Sequence, residues 1–103
     1  KVLKKSYKMT NSKEDREHVT LHIRRNPKIF KIINVLSPED LFFPKLSLTL
    51  DYYKDYILIK KIIEYFDRKK NTYFSCDDVL KLYKNNKKLF QINKGLKRNV
   101  LKI

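Results

Sequence analysis

A chain of 103 residues with 25 Lys and Arg against 11 Asp and Glu carries a net charge of +14, and 42% of it is hydrophobic. That length allows one domain, and the apolar content argues against disorder throughout. The longest apolar run is four residues, Tyr56 to Ile59, so no membrane span is expected. One cysteine cannot form an internal disulfide and no secretory apolar region opens the sequence, so the expected compartment is the cytoplasm.

The charge is mostly lysine: twenty Lys and five Arg, with no Ala and a single Gly. Lys, Asn, Ile, Tyr and Phe have A/T-rich codons, so a low-GC genome with lysine as its default surface residue accounts for the balance. A surface selected for phosphate more often uses Arg, whose planar fork makes two bonds. Charge alone carries no base readout, so no specific nucleic-acid partner is expected. A small basic nucleic-acid-binding module is the alternative reading. It predicts lysines gathered on one face, whereas here they are dispersed along the chain.

Lys1–Met9 reads as helix, with Val2, Leu3 and Tyr7 at helical spacing, and Thr10-Asn11-Ser12 breaks it. Ser12-Lys13-Glu14-Asp15 fits a capping box, opening a helix from about Glu14 to Arg25 that Pro27 stops. Ile29 to Leu36 is rich in β-branched residues and predicts a strand ended by Ser37-Pro38-Glu39-Asp40. Leu46-Ser47-Leu48-Thr49-Leu50 alternates strictly and predicts a second strand.

Asp51 marks a junction into a helix from about Tyr53 to Arg68, on which Ile59, Ile62, Ile63 and Phe66 form an apolar stripe. Ser75-Cys76-Asp77-Asp78 is a second capping box, before a helix with Val79, Leu82 and Tyr83 inward; Asn85-Asn86 interrupts it, and short helix with a basic tail follows. The expected fold class is therefore α/β, with two or so strands and four or five helices. Two apolar strands do not make a self-sufficient sheet, so residues 1–103 read as a single partial domain.

Candidate chemistry is sparse. His18 and His22, four apart, could share a helix face and chelate zinc, but no third and fourth ligands accompany them, and they read as half-exposed histidines. Cys76 has no sequence-local base and reads as packing. Asp51, between a strand and a helix, reads first as an N-cap, with a carboxylate that holds Mg²⁺ against a nucleotide phosphate as the alternative. Arg16, Glu17 and His18 form a polar cluster. With one glycine, the chain cannot build a glycine-rich phosphate loop.

Several segments in order resemble one family. They are Asp15-Arg16-Glu17-His18-Val19-Thr20, Phe30-Lys31-Ile32-Ile33-Asn34-Val35, Leu46-Ser47-Leu48-Thr49-Leu50-Asp51-Tyr52, Ser75-Cys76-Asp77-Asp78-Val79-Leu80 and the tail from Ile92 to Asn99. Together they resemble the carboxyl-terminal part of the cytidylyltransferases of the spore-coat polysaccharide biosynthesis type, relatives of the acylneuraminate and deoxy-octulosonate enzymes.

The resemblance implies the end of a Rossmann-like nucleotidyltransferase that moves CMP from CTP to a sugar or sugar acid, with Mg²⁺ and release of pyrophosphate. The products feed surface polysaccharide or flagellin glycans. It implies Asp51 as a metal ligand and Arg16, Glu17 and His18 near the sugar. It further implies that the amino-terminal half, carrying the CTP loop and another metal carboxylate, is absent, that activity needs that half, and that the helices after residue 53 support a homodimer. The family's usual late-strand arginine is Ser47 here, and its usual Pro-Glu is Tyr53-Lys54.

Overall fold

A computed structural model describes residues 1–98. The backbone forms two compact units, Lys1–Leu36 and Ser37–Arg98. Every regular element among the described residues is helical. The expected α/β class, and with it the Rossmann-like sheet, is therefore corrected.

The first unit holds α1 (Val2–Met9), α2 (Lys13–Glu17) and α3 (Leu21–Arg25). The helix expected over Glu14–Arg25 is thus two short helices, interrupted at His18–Thr20. The β-branched pair Val19-Thr20 propagates a helix poorly, and a tight turn from the Leu21 N–H to the His18 carbonyl (2.8 Å) replaces the continuous ladder. That break lets Leu21 become fully buried. An ion pair between Arg25 and Glu14, 2.9 Å, ties α3 to α2. Phe30 is the other buried apolar side chain of this unit. On α1 the expected apolar positions Val2, Leu3 and Tyr7 are exposed, and the buried residue is Ser6.

The predicted strand at Ile29–Leu36 is not formed. Ile33, Val35 and Leu36 are 74%, 89% and 88% exposed. A strand must hand its N–H and C=O groups to a neighbour, and no strand pairing exists among the described residues. High β-propensity without a partner leaves the backbone to solvent.

The second unit is built on α4 (Tyr53–Arg68) and α5 (Cys76–Asn85), with short 3₁₀ turns at Glu39–Leu41 and Leu89–Gln91. Its core is Leu58, Ile62, Phe66, Val79, Leu82 and Phe90, with Leu46, Tyr65, Phe74, Tyr83, Leu89 and Ile92 packed against it. Phe66 stacks on Phe74 with ring centres 4.4 Å apart, and Tyr83 meets Phe90 edge-on at 5.0 Å. Burying a side chain of this size contributes about 1.5–3 kcal/mol.

On α4 the buried stripe is Asp55, Leu58, Ile62 and Phe66, while Ile63 is exposed. Of the expected stripe Ile59, Ile62, Ile63 and Phe66, only Ile62 and Phe66 are buried; the inward face is rotated toward Leu58, with a charged residue, Asp55, at its amino-terminal position. At the other end of α4, Lys70 adopts φ 55°. The Asn71 N–H bonds to the Phe66 carbonyl and the Lys70 N–H to the Asp67 carbonyl, both 2.9 Å, which is a Schellman stop with lysine where glycine is usual. The capping box that opens α5 forms as its sequence predicts: Asp78 N–H donates to Ser75 Oγ (3.2 Å) and Ser75 N–H to Asp78 Oδ2 (2.8 Å). The companion box at Ser12 does not; Ser12 precedes α2 but makes no side-chain cap bond.

Candidate functional site

The junction into α4 is where the sequence places its most informative carboxylate, Asp51. The N-cap of the helix is Tyr52, so Asp51 is not the cap. The capping carboxylate is Asp55, at the third helical position, whose Oδ2 accepts the backbone N–H groups of Asp51 (3.1 Å) and Tyr52 (2.9 Å). Asp55 is fully buried. An isolated carboxylate there would be untenable, and two side chains from far along the chain complete its shell. Asn93 Nδ2 donates to Asp55 Oδ1 at 2.8 Å, and both terminal nitrogens of Arg98 donate to the two carboxylate oxygens.

The same residues hold the segment expected to be the second strand. Asn93 Nδ2 also donates to the Ser47 carbonyl (3.0 Å), and Arg98 Nη1 to Thr49 Oγ1 (3.1 Å) and Asp51 Oδ2 (3.0 Å). Tyr52 closes the far side, its hydroxyl donating to the Lys97 carbonyl at 2.6 Å. Leu46–Leu50 is thus fixed by side-chain donors and not by a strand ladder. The hydrogen bonds from Arg98 hold the Asp55 carboxyl well below the usual carboxylate range against the opposing effect of burial, with help from Asn93, Tyr52 and Asp51. Arg98 is raised reciprocally, first by its bond to Asp55.

Asp51 is 60% exposed on its side chain and its partner is Arg98. The chemistry of this donor set does not suit Mg²⁺. The oxygens of Asp51, Asp55 and Thr49 converge on a guanidinium nitrogen, a permanent cation, and Asp55 is already saturated by N–H donors. Among the described residues no group of three or more His, Cys, Asp or Glu could hold a metal ion.

Arg16, Glu17 and His18 lie in the first unit. Arg16 stacks on Tyr7, its guanidinium carbon 3.5 Å from the ring centre, and Nη2 donates to the Thr10 carbonyl (2.9 Å) and Asn11 Oδ1 (3.1 Å). Glu17 is the last residue of α2 and exposed, and His18 is the half-buried residue that ends the helix. The break after α2 removes the helical register on which a His18–His22 chelate depends. His22 instead approaches Asp15, Nδ1 to Oδ2 3.8 Å, and receives Asn26 Nδ2 on its backbone carbonyl at 2.7 Å. Cys76 is exposed at the start of α5, so its expected packing role is not fulfilled.

A second polar centre therefore forms around Asp15. The Thr10 hydroxyl donates to Asp15 Oδ2 at 2.6 Å. Asp15 Oδ1 and His22 Nε2 are buried with no hydrogen-bond partner. A buried acceptor left unmade costs about 1–3 kcal/mol, so this centre is less well satisfied than the one around Asp55.

Sequence reasoning missed Asp55, Asn93 and Arg98 as a set. The one local signal was an acidic residue at the third position of a strongly periodic helix. Asn93 and Arg98, 38 and 43 residues further on, carry no spacing rule that links them to it.

No family model matches the chain, and no solved structure does. The chain is similar to MJ1063, an uncharacterized protein of Methanocaldococcus jannaschii, with 38% identity over 66 residues. That stretch is 64% of this chain and 27% of the archaeal protein, so the chain spans less than a third of the relative it matches. Among the described residues no helix is long and apolar enough to cross a membrane.

Proposed function

We propose that these residues act as part of a longer cytidylyltransferase that transfers CMP from CTP to a sugar or sugar acid for surface polysaccharide or flagellin glycans, and that alone they do not turn over. The ordered resemblance from Asp15 to Asn99 supports the chemistry; its last residue, Asn99, lies outside the described residues. The observation that supports incompleteness is the segment Ile32–Leu36, in which four large apolar side chains, Ile32, Ile33, Val35 and Leu36, stand in solvent. A relative of which the matched stretch is only 27% agrees with a longer working chain.

In that reading the CTP phosphates are cradled by other residues of the longer protein, because Gly95 is the sole glycine here. Arg16 and its neighbours orient the sugar. The Mg²⁺ that such transfer uses neutralises phosphate charge, and its ligands are chiefly carboxylates outside these residues, since Asp51 is committed to Arg98. The clasp around Asp55 is a positioning element that holds residues 47–52 against α4. A homodimer partner and a cytoplasmic setting, which suits soluble CTP, belong to the same proposal.

The test is pyrophosphate release with CTP, Mg²⁺ and a panel of sugars and sugar acids. The 103-residue chain alone is expected to be silent, and the chain joined to a supplied CTP-binding half to turn over with one class of sugar. Turnover by the chain alone overturns its incompleteness. Silence of the joined protein across the panel overturns the transfer reaction.

A further inference from the structure

We infer that the cleft between residues 45–47 and the turn over residues 90–95 binds a small organic anion, one phosphate or carboxylate carried on an apolar ring. The site uses none of the residues invoked for CMP transfer, so the two readings fail separately.

The cleft holds about 320 Å³, and small-molecule pockets begin at roughly 300 Å³. Leu46, Tyr83 and Phe90 supply its apolar wall. The Tyr83 ring is met edge-on by Phe90 at 5.0 Å and by Phe43 at 5.6 Å, and Phe90 belongs to the buried core, so that wall is set before a ligand arrives. The two stretches of chain that carry the polar rim are tied together as well. Asn93 Nδ2 donates to the Ser47 carbonyl (3.0 Å) and to Asp55 Oδ1 (2.8 Å), which anchors the turn both to the 45–47 segment and to the clasp. At Gly95, with φ 76°, nothing stands within 4 Å of the point where a side chain would begin, so the lip is open there. A preformed cleft loses little freedom when it binds.

Charge selects the ligand. Lys45 and Lys94 both line the cleft and no Asp or Glu does. Neither lysine has an ion-pair partner among the described residues. The carboxylate closest along this network, Asp55, does not line the cleft and is paired with Arg98. Other grooves also hold cations, but those lined by Asp78, by Asp40 with Asp77, and by Asp15 each count a carboxylate among their side chains. An ammonium is a compact charge on a flexible stem, so both lysines can follow an anionic head at the mouth while a ring lies against Leu46 and Tyr83. Gln91 adds an amide N–H donor to the rim. A cation is repelled by the lysine pair, a neutral ring gains nothing from it, and a bare inorganic anion gains nothing from the apolar wall.

The experiment is a titration of the isotope-labelled 103-residue chain with phenyl phosphate and with benzoate, followed by backbone amide NMR. Inorganic phosphate and benzyl alcohol serve as the head-only and ring-only probes. At least one ring-bearing anion is expected to shift the amides of residues 45–47 and 90–95 saturably below about 10 mM, and to bind about fivefold or more tighter than either partial probe. The tighter of the two anions identifies the head that the site takes. Lys45→Gln combined with Lys94→Gln, both at exposed positions, is expected to weaken binding about tenfold. Lys8→Gln combined with Lys61→Gln, also exposed, removes the same charge elsewhere and should change affinity by less than about twofold.

Four results overturn the inference. One is the lack of a saturable shift with either ring-bearing anion. Benzyl alcohol binding as tightly would leave an apolar cleft with no preference for an anion, and inorganic phosphate binding as tightly would leave lysines with no use for the wall. Equal weakening by the Lys8 and Lys61 pair would leave only the general attraction of a chain of net charge +14.

Discussion

The two units of this chain meet the problem of a buried carboxylate in opposite ways. In Ser37–Arg98, Asp55 is surrounded by backbone N–H groups, Asn93 and a two-pronged Arg98, with every oxygen engaged. In Lys1–Leu36, Asp15 keeps one oxygen engaged and one orphaned, beside a histidine nitrogen in the same condition. The first arrangement holds structure together, because a saturated charge has nothing left to offer a ligand. The second leaves the cost of an unmade hydrogen bond, about 1–3 kcal/mol, unrelieved in the fold. The contrast extends to apolar packing. The second unit gathers six buried side chains from α4, α5 and the following turn, whereas the first buries Leu21 and Phe30 and leaves much of its apolar surface in water.

The largest expected effect is in the packed core. Phe66→Ala removes a ring that stacks on Phe74 and touches Tyr65, and should cost the second unit about 3–5 kcal/mol in denaturant unfolding followed by circular dichroism. A loss below about 1 kcal/mol would show that this core is not what holds α4 and α5.

Next comes the clasp. Arg98→Ala leaves Asp55 buried without its main partner and should lower the melting temperature on the order of 10 °C. The conservative Arg98→Lys keeps the charge but not the fork and should recover only part of it. Full recovery would show that charge, and not two-pronged geometry, is what Asp55 needs.

The clasp also fixes the pH response. Asp55 titrates lower in the folded chain than in the unfolded chain, so the unfolded state binds the proton more readily. Its stabilisation is therefore fully present above the ordinary carboxylate value near 4, and is lost as pH falls from there toward the depressed folded value. Asp78, held down first by the Ser75 N–H, acts in the same direction. Acid unfolding should be steep below about pH 4 in the native chain and shallower in Asp55→Asn. Parallel curves would remove Asp55 as the source.

Smaller effects separate strain from exposure. Lys70→Gly relieves the left-handed backbone of the α4 stop and should stabilise by about 1 kcal/mol. Val35→Lys and Leu36→Lys, at side chains already in solvent, should change stability by less than about 0.5 kcal/mol in this chain. A substantial loss there would mean that the run is covered, against the description above.

Parts of this organisation were legible in the residues. The 3.6-residue pattern over 53–68 placed α4, and Ser75 with Asp78 placed the start of α5, since both depend on contacts within a few residues. Pro27 marked the end of α3 for the same reason. The misreadings came from elements that need a distant partner. Ile29–Leu36 and Leu46–Leu50 have strand composition, but alternation states only which side chains could share a face; it does not supply the neighbouring backbone that makes a strand. The inward face of α4 was misjudged because a buried aspartate is invisible to a rule that counts apolar residues.

By itself, then, the sequence determined the local chemistry: helix periodicity, a capping box, a proline stop, the excess of lysine, and the lack of glycines for a phosphate loop. Tertiary structure alone decided that Asn93 and Arg98 would meet Asp55, that Asp51 would be held by a guanidinium, and that Asp15 would be left with an unmet oxygen. The physical reason is range. Backbone geometry and capping act over three or four residues, whereas the burial of a charge is settled by whichever donors the fold brings to it from far along the chain.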